Sequence, residues 1–201
     1  LASSPCAEPP DNLPAITDKR AEFRSGAVFT RAEALQLATN ARIPEDRRTV
    51  YGVVLLTGVR FGELAALRWR HYAADVRPLG RLLVALSVER NTHEVKRTKT
   101  GTTREVPVHP ALARVLAAWR EGGFARLVGR APLPEDLLLP PAPTSSDVHR
   151  RVRQAHKDLQ IDLDTLGLRE RRVHDARRTF VSLCRDDGAR GDVLKHVTYG
   201  V

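Results

Sequence analysis

Hydrophobic positions along this chain change period several times, and each change marks an element. Residues 1–27, beginning "LASSPCAEPPDNLP", show no period and are rich in Pro, Ser, Ala and charge, which predicts a linker or tail. "FTRAEALQLATNAR" opens the ordered part, with Thr30 placed to cap a helix and Glu33 three residues on, as in a capping box. "PEDRRTVYGVVLLTG" predicts a helix that starts at Pro44 and stops at Gly58, burying Val50, Val53, Val54 and Leu56. After that stop "RFGELAALRW" restarts as a helix, with Leu64, Ala66 and Leu67 toward the core. The pattern then becomes extended. "RLLVALSVER", "EVKRTKT" and "TREVPVHP" read together as one small antiparallel sheet, with a tight turn near 99–102 and Pro107 on an edge strand. A period of 3.6 returns in "HPALARVLAAWREGG", where Leu112, Val115, Leu116 and Trp119 form a stripe and Gly122 is the expected C-cap. Past the Pro-punctuated "APLPEDLLLPPAP", "SSDVHRRVRQAHKDL" reads as a capped helix with Val148, Val152, Ala155 and Leu159 inward. "HDARRTFVSLCRDDG" is a last long helix, with Phe180, Leu183 and Cys184 at core positions and an end near Gly188. Helices, a small sheet and helices again make a mostly-α chain with a minor antiparallel β element, an α+β class.

Composition narrows what such a domain could bind. The 201 residues suffice for one sizeable core plus a tail. No apolar run reaches the 18 residues of a membrane span, and the first residues carry neither the basic nor the apolar region of a signal peptide. Net charge is +9, and only five of the 33 basic residues are lysine. The guanidinium is a planar fork that meets phosphate oxygens in pairs, so a nucleic-acid backbone leads as partner class. Arg-biased coding explains the same composition equally well. Two cysteines far apart, Cys6 and Cys184, suggest neither a disulfide framework nor a metal site and fit a reducing cytoplasm.

Three segments could carry chemistry. In "RRVHDARRTF", His174 and Arg177 stand three apart, so on a helix they point the same way, near an N-terminal end that favours anions. In "LLTGVRFGEL", Arg60 opens a helix just after the Gly58 stop, and Glu63 is one turn on to orient it. In "KRTKTGTTREVPV", Lys99 sits beside the Gly101 turn, where a lysine of lowered pKa could protonate a leaving oxygen. Each has a plain structural reading too: a helix with solvated arginines, an Arg60–Glu63 ion pair, a solvated loop lysine. Arg150, Arg151, Arg153, Lys157 and Arg178 add a spread of positive charge that suits a nucleic-acid backbone.

Taken in order, "TGVRFGEL", "TKTG" followed by "REVPVHP", and "HDARRTF" resemble the catalytic domain of the tyrosine recombinases, the phage integrase family. The resemblance covers about residues 28–201, and the separations fit: 39 residues from Arg60 to Lys99, and 117 from Arg60 to Arg177. It implies a DNA breaking-and-rejoining fold, double-stranded DNA as partner, a tetramer on DNA in a full-length parent, and no cofactor, metal or membrane. It also implies that a tyrosine hydroxyl attacks a phosphodiester, forming a 3′-phosphotyrosyl bond and freeing a 5′-OH. Arg60 and Arg177 would grip the non-bridging oxygens, Lys99 would be the general acid, His174 would assist proton transfer or phosphate binding, and Glu63 would support Arg60 from behind.

The match departs from the family at its end. Tyr199 falls 22 residues after Arg177, where the family has a His or Trp, with His196 a second candidate for that place. The family's nucleophile comes about nine residues later, so the chain is expected to stop short of it. Tyr199 is also the one tyrosine beyond Arg177 and hence the candidate nucleophile within the chain; Tyr51 and Tyr72 lie where the family places none. Two other readings stay open: a non-catalytic DNA-binding remnant of a mobile-element integrase, and an unrelated Arg-rich RNA-binding protein.

Overall fold

The computed structural model describes residues 26–98 and 101–200. The expected tail therefore lies almost wholly outside the described residues, as do Lys99 and Cys6. Helix α1 (Arg31–Thr39) opens with the expected capping box. Thr30 Oγ1 accepts the Glu33 N–H at 3.2 Å, and the Glu33 carboxylate accepts the Thr30 N–H at 2.7 Å. Helix α2 (Glu45–Thr57) is the spine of the molecule and packs against α1 and three later α-helices. Val50, Val53 and Val54 are buried as expected, but Leu55 takes the interior place and Leu56 is half-buried. Gly58 stops α2 in the left-handed region, φ +62°, and α3 (Phe61–Ala66) follows with Leu64, Ala66 and Leu67 buried.

The extended region forms two sheets where one was expected. Strands β1 (Tyr72–Ala73), β2 (Gly80–Val84) and β5 (Arg104–Val108) are antiparallel in the order β1-β2-β5, while β3 (Leu86–Val88) pairs only with β4 (Val95–Arg97). The reason is register. The partner of Val84 is Arg104, the first residue of β5, so beyond Ala85 the chain has no β5 left to pair with and takes β4 instead. The expected turn at 99–102 falls partly outside the described residues; the Gly101 N–H donates to the Thr98 carbonyl at 2.7 Å, between β4 of one sheet and β5 of the other. Pro107 does lie on an edge strand.

Helix α4 (Pro110–Ala118) buries Leu112 and Leu116, each contributing about 1.5–3 kcal/mol by leaving water. Gly122 does not end it. The chain runs through a π turn at Trp119–Gly123 into α5 (Phe124–Val128) and is capped by left-handed Gly129. Trp119 holds that path by donating from Nε1 to the Leu138 carbonyl at 2.8 Å. Helix α6 (Val152–Leu166) starts later than the sequence pattern suggests, and Val148 is 76% exposed. Arg150 reaches back to Asp46 on α2 at 2.6 Å and to the Leu139 carbonyl at 3.3 Å, and these tertiary bonds keep residues 147–151 out of the helix. Buried Asp162 ties α6 to α2, accepting from Tyr51 Oη at 2.6 Å and Arg47 Nη2 at 2.8 Å. Helix α7 (Val173–Asp186) buries three polar side chains, Asp175, Arg177 and Thr179, beside Ala176, whereas Phe180, Leu183 and Cys184 are only half-buried. The last helix, α8 (Gly191–Tyr199), leans on β5 and α7. The class is mostly α with small antiparallel sheets, and no helix among the described residues is long and apolar enough to cross a membrane.

Candidate active site

Three element ends converge here: the start of α3, the first turns of α7 and the last turn of α8. Arg60 is the N-cap of α3 because the Gly58 turn reverses the chain just before it. The Glu63 carboxylate accepts the Arg60 backbone N–H at 2.8 Å and one Arg60 Nη1 hydrogen at 3.1 Å, which fixes the guanidinium over the helix start. Arg177, on the inner side of α7, donates from Nη1 to the Gly58 carbonyl and from Nη2 to the Thr198 carbonyl at 2.9 Å. The two guanidinium carbons both stand over the Tyr199 ring, 5.4 Å (Arg60) and 5.0 Å (Arg177) from its centroid. Such cation–π contacts are attractive by about 0.5–2 kcal/mol each and hold the ring and the charges in one cluster.

His174 stands one turn before Arg177 and is exposed. Partial desolvation pushes its pKa below the usual imidazole value, and the charges of Arg178, Arg177 and Arg60 push the same way while Asp175 opposes them. His174 thus lies within electrostatic reach of both arginines. Burial, then the charge of Arg60, also lowers the pKa of Arg177, which stays cationic because guanidinium is never deprotonated in proteins.

Sequence reasoning missed Arg104. It is 2% exposed and grips Glu63 with both arms of its fork, Nη1 to Oε1 at 3.1 Å and Nη2 to Oε2 at 2.6 Å, while Nε donates to the Val197 carbonyl at 2.8 Å. Burial would raise the pKa of Glu63, but the bonds and charge of Arg104 and the bonds from Arg60 outweigh it and hold the carboxyl below its usual range. The signal was present in β5, whose alternation buries Arg104, Val106 and Val108 on one face. Two guanidiniums, Arg60 and Arg104, thus share the Glu63 carboxylate, while Arg177 is held by the Gly58 and Thr198 carbonyls, and the cluster is net positive. Arg177 gives two of its five N–H donors to carbonyls and also bonds the Tyr199 side chain, which leaves at most two donors for an anion. The site is therefore equipped to receive an anion of phosphate size.

The remaining candidates are placed less uniformly. Lys99 lies outside the described residues, but Thr102 and Arg104 pack against left-handed Gly200, their side chains 3.1 and 3.5 Å from where a Cβ would stand. Tyr51 is buried, and burial followed by the Asp162 bond raises its pKa. Tyr72 is half-buried on β1, so Tyr199 is the tyrosine that meets Arg60 and Arg177. His196 sits a turn earlier on α8 and is exposed. Among the expected nucleic-acid contacts, Arg150 has a side chain only 10% exposed and bound to Asp46, so it is a clamp between α2 and the 139–151 segment. Arg151 pairs with Asp147, and Arg178 pairs with Asp175 at 3.1 Å; both keep nearly half of the side chain exposed. Arg153 and Lys157 are exposed. Arg150, Arg151 and Arg153 line a cleft of about 500 Å³ that runs from Phe61 and Gly62 on α3, the residues after Arg60, to His93 at the β3–β4 turn.

Neither a family model nor a curated protein matches the sequence. Solved structures do match in shape. The Tn1549 transposon integrase, in complex with a circular intermediate DNA, superposes with a TM-score of 0.67 at 14% identity, covering 85% of this chain and 56% of that one. The XerA recombinase gives 0.62 at 16%, covering 96% and 56%, and the XerH site-specific recombinase bound to its difH substrate gives 0.62 at 15%, covering 86% and 46%. This chain spans about half the length of those structures. It has the fold of the tyrosine-recombinase catalytic domain.

Proposed function

We propose that this chain is the catalytic domain of a site-specific DNA recombinase that cleaves and rejoins strands through a 3′-phosphotyrosyl link. One observation carries the reading: Arg60 and Arg177, brought from helices far apart in sequence, stand over one tyrosine ring with His174 in electrostatic reach of both. The solved structures of like fold that hold DNA support duplex DNA as the partner. In the reaction a hydroxyl oxygen attacks phosphorus, the bond from phosphorus to the 5′ oxygen breaks, and that oxygen takes a proton. Charge builds on the two non-bridging oxygens, where fixed donors matter most. Arg60 and Arg177 supply those donors, held in advance by Glu63, Gly58 and Thr198. Lys99 is the general acid, and His174, whose pKa partial desolvation and the neighbouring arginines lower, exchanges a proton at the phosphate. The phosphoester energy is stored in the protein–DNA link, and the reverse attack by another 5′-OH completes the exchange, with four copies assembled on the DNA.

In this reading Tyr199 lines the phosphate pocket in place of the family's His or Trp and is not the nucleophile. Its ring is occupied by the two arginines, which suits a residue that shapes the pocket. Incubating the chain with a nicked suicide duplex and resolving the products under denaturing conditions tests this. The expected result is duplex binding with no adduct that depends on Tyr199. A covalent complex that Tyr199→Phe abolishes would contradict the assignment.

A further inference from the structure

We infer that Arg104 is a positioning residue, which sets the two phosphate-gripping arginines by fastening the last turn of α8. The inference rests on the reading of Arg60 and Arg177 given above. The last turn of a helix has carbonyls with no partner inside the helix. In α8 two of these, Val197 and Thr198, are taken by guanidiniums from other elements, Arg104 on β5 and Arg177 on α7. The next residue is Tyr199, so the ring that Arg60 and Arg177 share is aimed by the carbonyls just before it. The other end of the Arg104 fork holds both oxygens of Glu63, and Glu63 holds Arg60. Arg104 therefore connects α3 to the end of α8 through three hydrogen bonds of one buried side chain, and Glu63 carries the link to Arg60 through two more.

Its charge matters as much as its reach. Glu63 facing Arg60 alone would make a neutral pair, and an incoming phosphate would meet little field. With Arg104 balancing Glu63, the charge of Arg60 stays available. No other residue type fits: lysine carries one compact ammonium and cannot serve both carboxylate oxygens and a carbonyl in a plane.

The test uses the ring of Tyr199 as a reporter. In the folded wild-type chain the Nε–Hε resonances of Arg60 and Arg177 carry a ring-current shift, assigned as the shift lost in Tyr199→Leu. Arg104→Met leaves the Glu63 carboxylate buried beside Arg60 alone, and this variant is poorly folded if the pair is essential. The double variant Arg104→Met with Glu63→Gln removes the stranded charge and keeps the packing volume, and Arg104→Lys keeps the charge without the fork. We expect both to fold, with the double variant losing the ring-current shift on both arginines and Arg104→Lys losing part of it. A folded double variant or Arg104→Lys variant that keeps the full wild-type shift overturns the inference. Failure of the underlying reading shows separately, as a wild-type chain that does not bind duplex DNA while its ring-current shifts are intact.

Discussion

Arg60 and Arg177 meet the same ring but are held very differently, and this separates their expected mutant behaviour. Arg177 is buried and satisfies two carbonyls, Gly58 and Thr198. Arg177→Ala strands both and should cost about 1–3 kcal/mol in urea unfolding. Arg60 is 30% exposed, and Glu63 keeps Arg104 when Arg60 is gone, so Arg60→Ala should cost under about 1 kcal/mol. Both should weaken duplex binding, and equal losses of stability would contradict the picture. Glu63→Ala leaves Arg104 buried without its carboxylate and should cost about 3–5 kcal/mol, more than either. For His174 the folded pKa lies below the unfolded value, so the unfolded chain takes up the proton first. Stability is full above about pH 6.5 and is lost as pH falls from there toward the folded value. A bound phosphate reverses the bias, so duplex affinity should rise as pH falls through that range, with proton uptake on binding that His174→Asn abolishes in titration calorimetry. A pH-independent affinity would remove His174 from the site. Arg60, Glu63, His174 and Arg177 were legible in the sequence because short local spacings carry them. Arg104 was not, because its partner Glu63 lies 41 residues earlier and only the fold joins strand to helix. Nothing local separates Arg150, clamped on Asp46 with its side chain 10% exposed, from Arg151 and Arg153, which are exposed along the same cleft.

The element that most tightly links fold to site is the turn between α2 and α3. Gly58 stands at φ +62°, and a Cβ there would sit 2.3 Å from the Phe180 ring on α7. Gly58→Ala should cost about 1–2 kcal/mol for the left-handed backbone and about 1–3 more for the overlap, read as a fall in melting temperature. Because the Gly58 carbonyl also anchors Arg177, the same variant should lose duplex affinity under conditions where it is still folded. A folded variant of wild-type affinity would uncouple the turn from the site. The stop at Gly58, the capping box of α1 and the stripe of α4 were readable because they depend on neighbours within a few residues. The two sheets, the late start of α6 and the run through Gly122 were not. Each is decided by a distant partner: the first residue of β5, Asp46 for Arg150, and Leu138 for Trp119.

At the scale of the molecule, a net charge of +9 and the cleft where Arg151 and Arg153 face the residues after Arg60 suit a backbone-tracking surface. Each phosphate contact adds about 0.9 to the slope of log affinity against log salt, so Arg153→Ala should lower the slope by about one contact. An unchanged slope would take that cleft out of the interface. The central claim is that Arg60 and Arg177 serve one phosphate, and the structure of this chain bound to a short duplex tests it most directly. The account predicts a single backbone phosphate whose oxygens lie within hydrogen-bond distance, about 2.7–3.2 Å, of both guanidiniums. A bound duplex with no phosphate reaching both would contradict it.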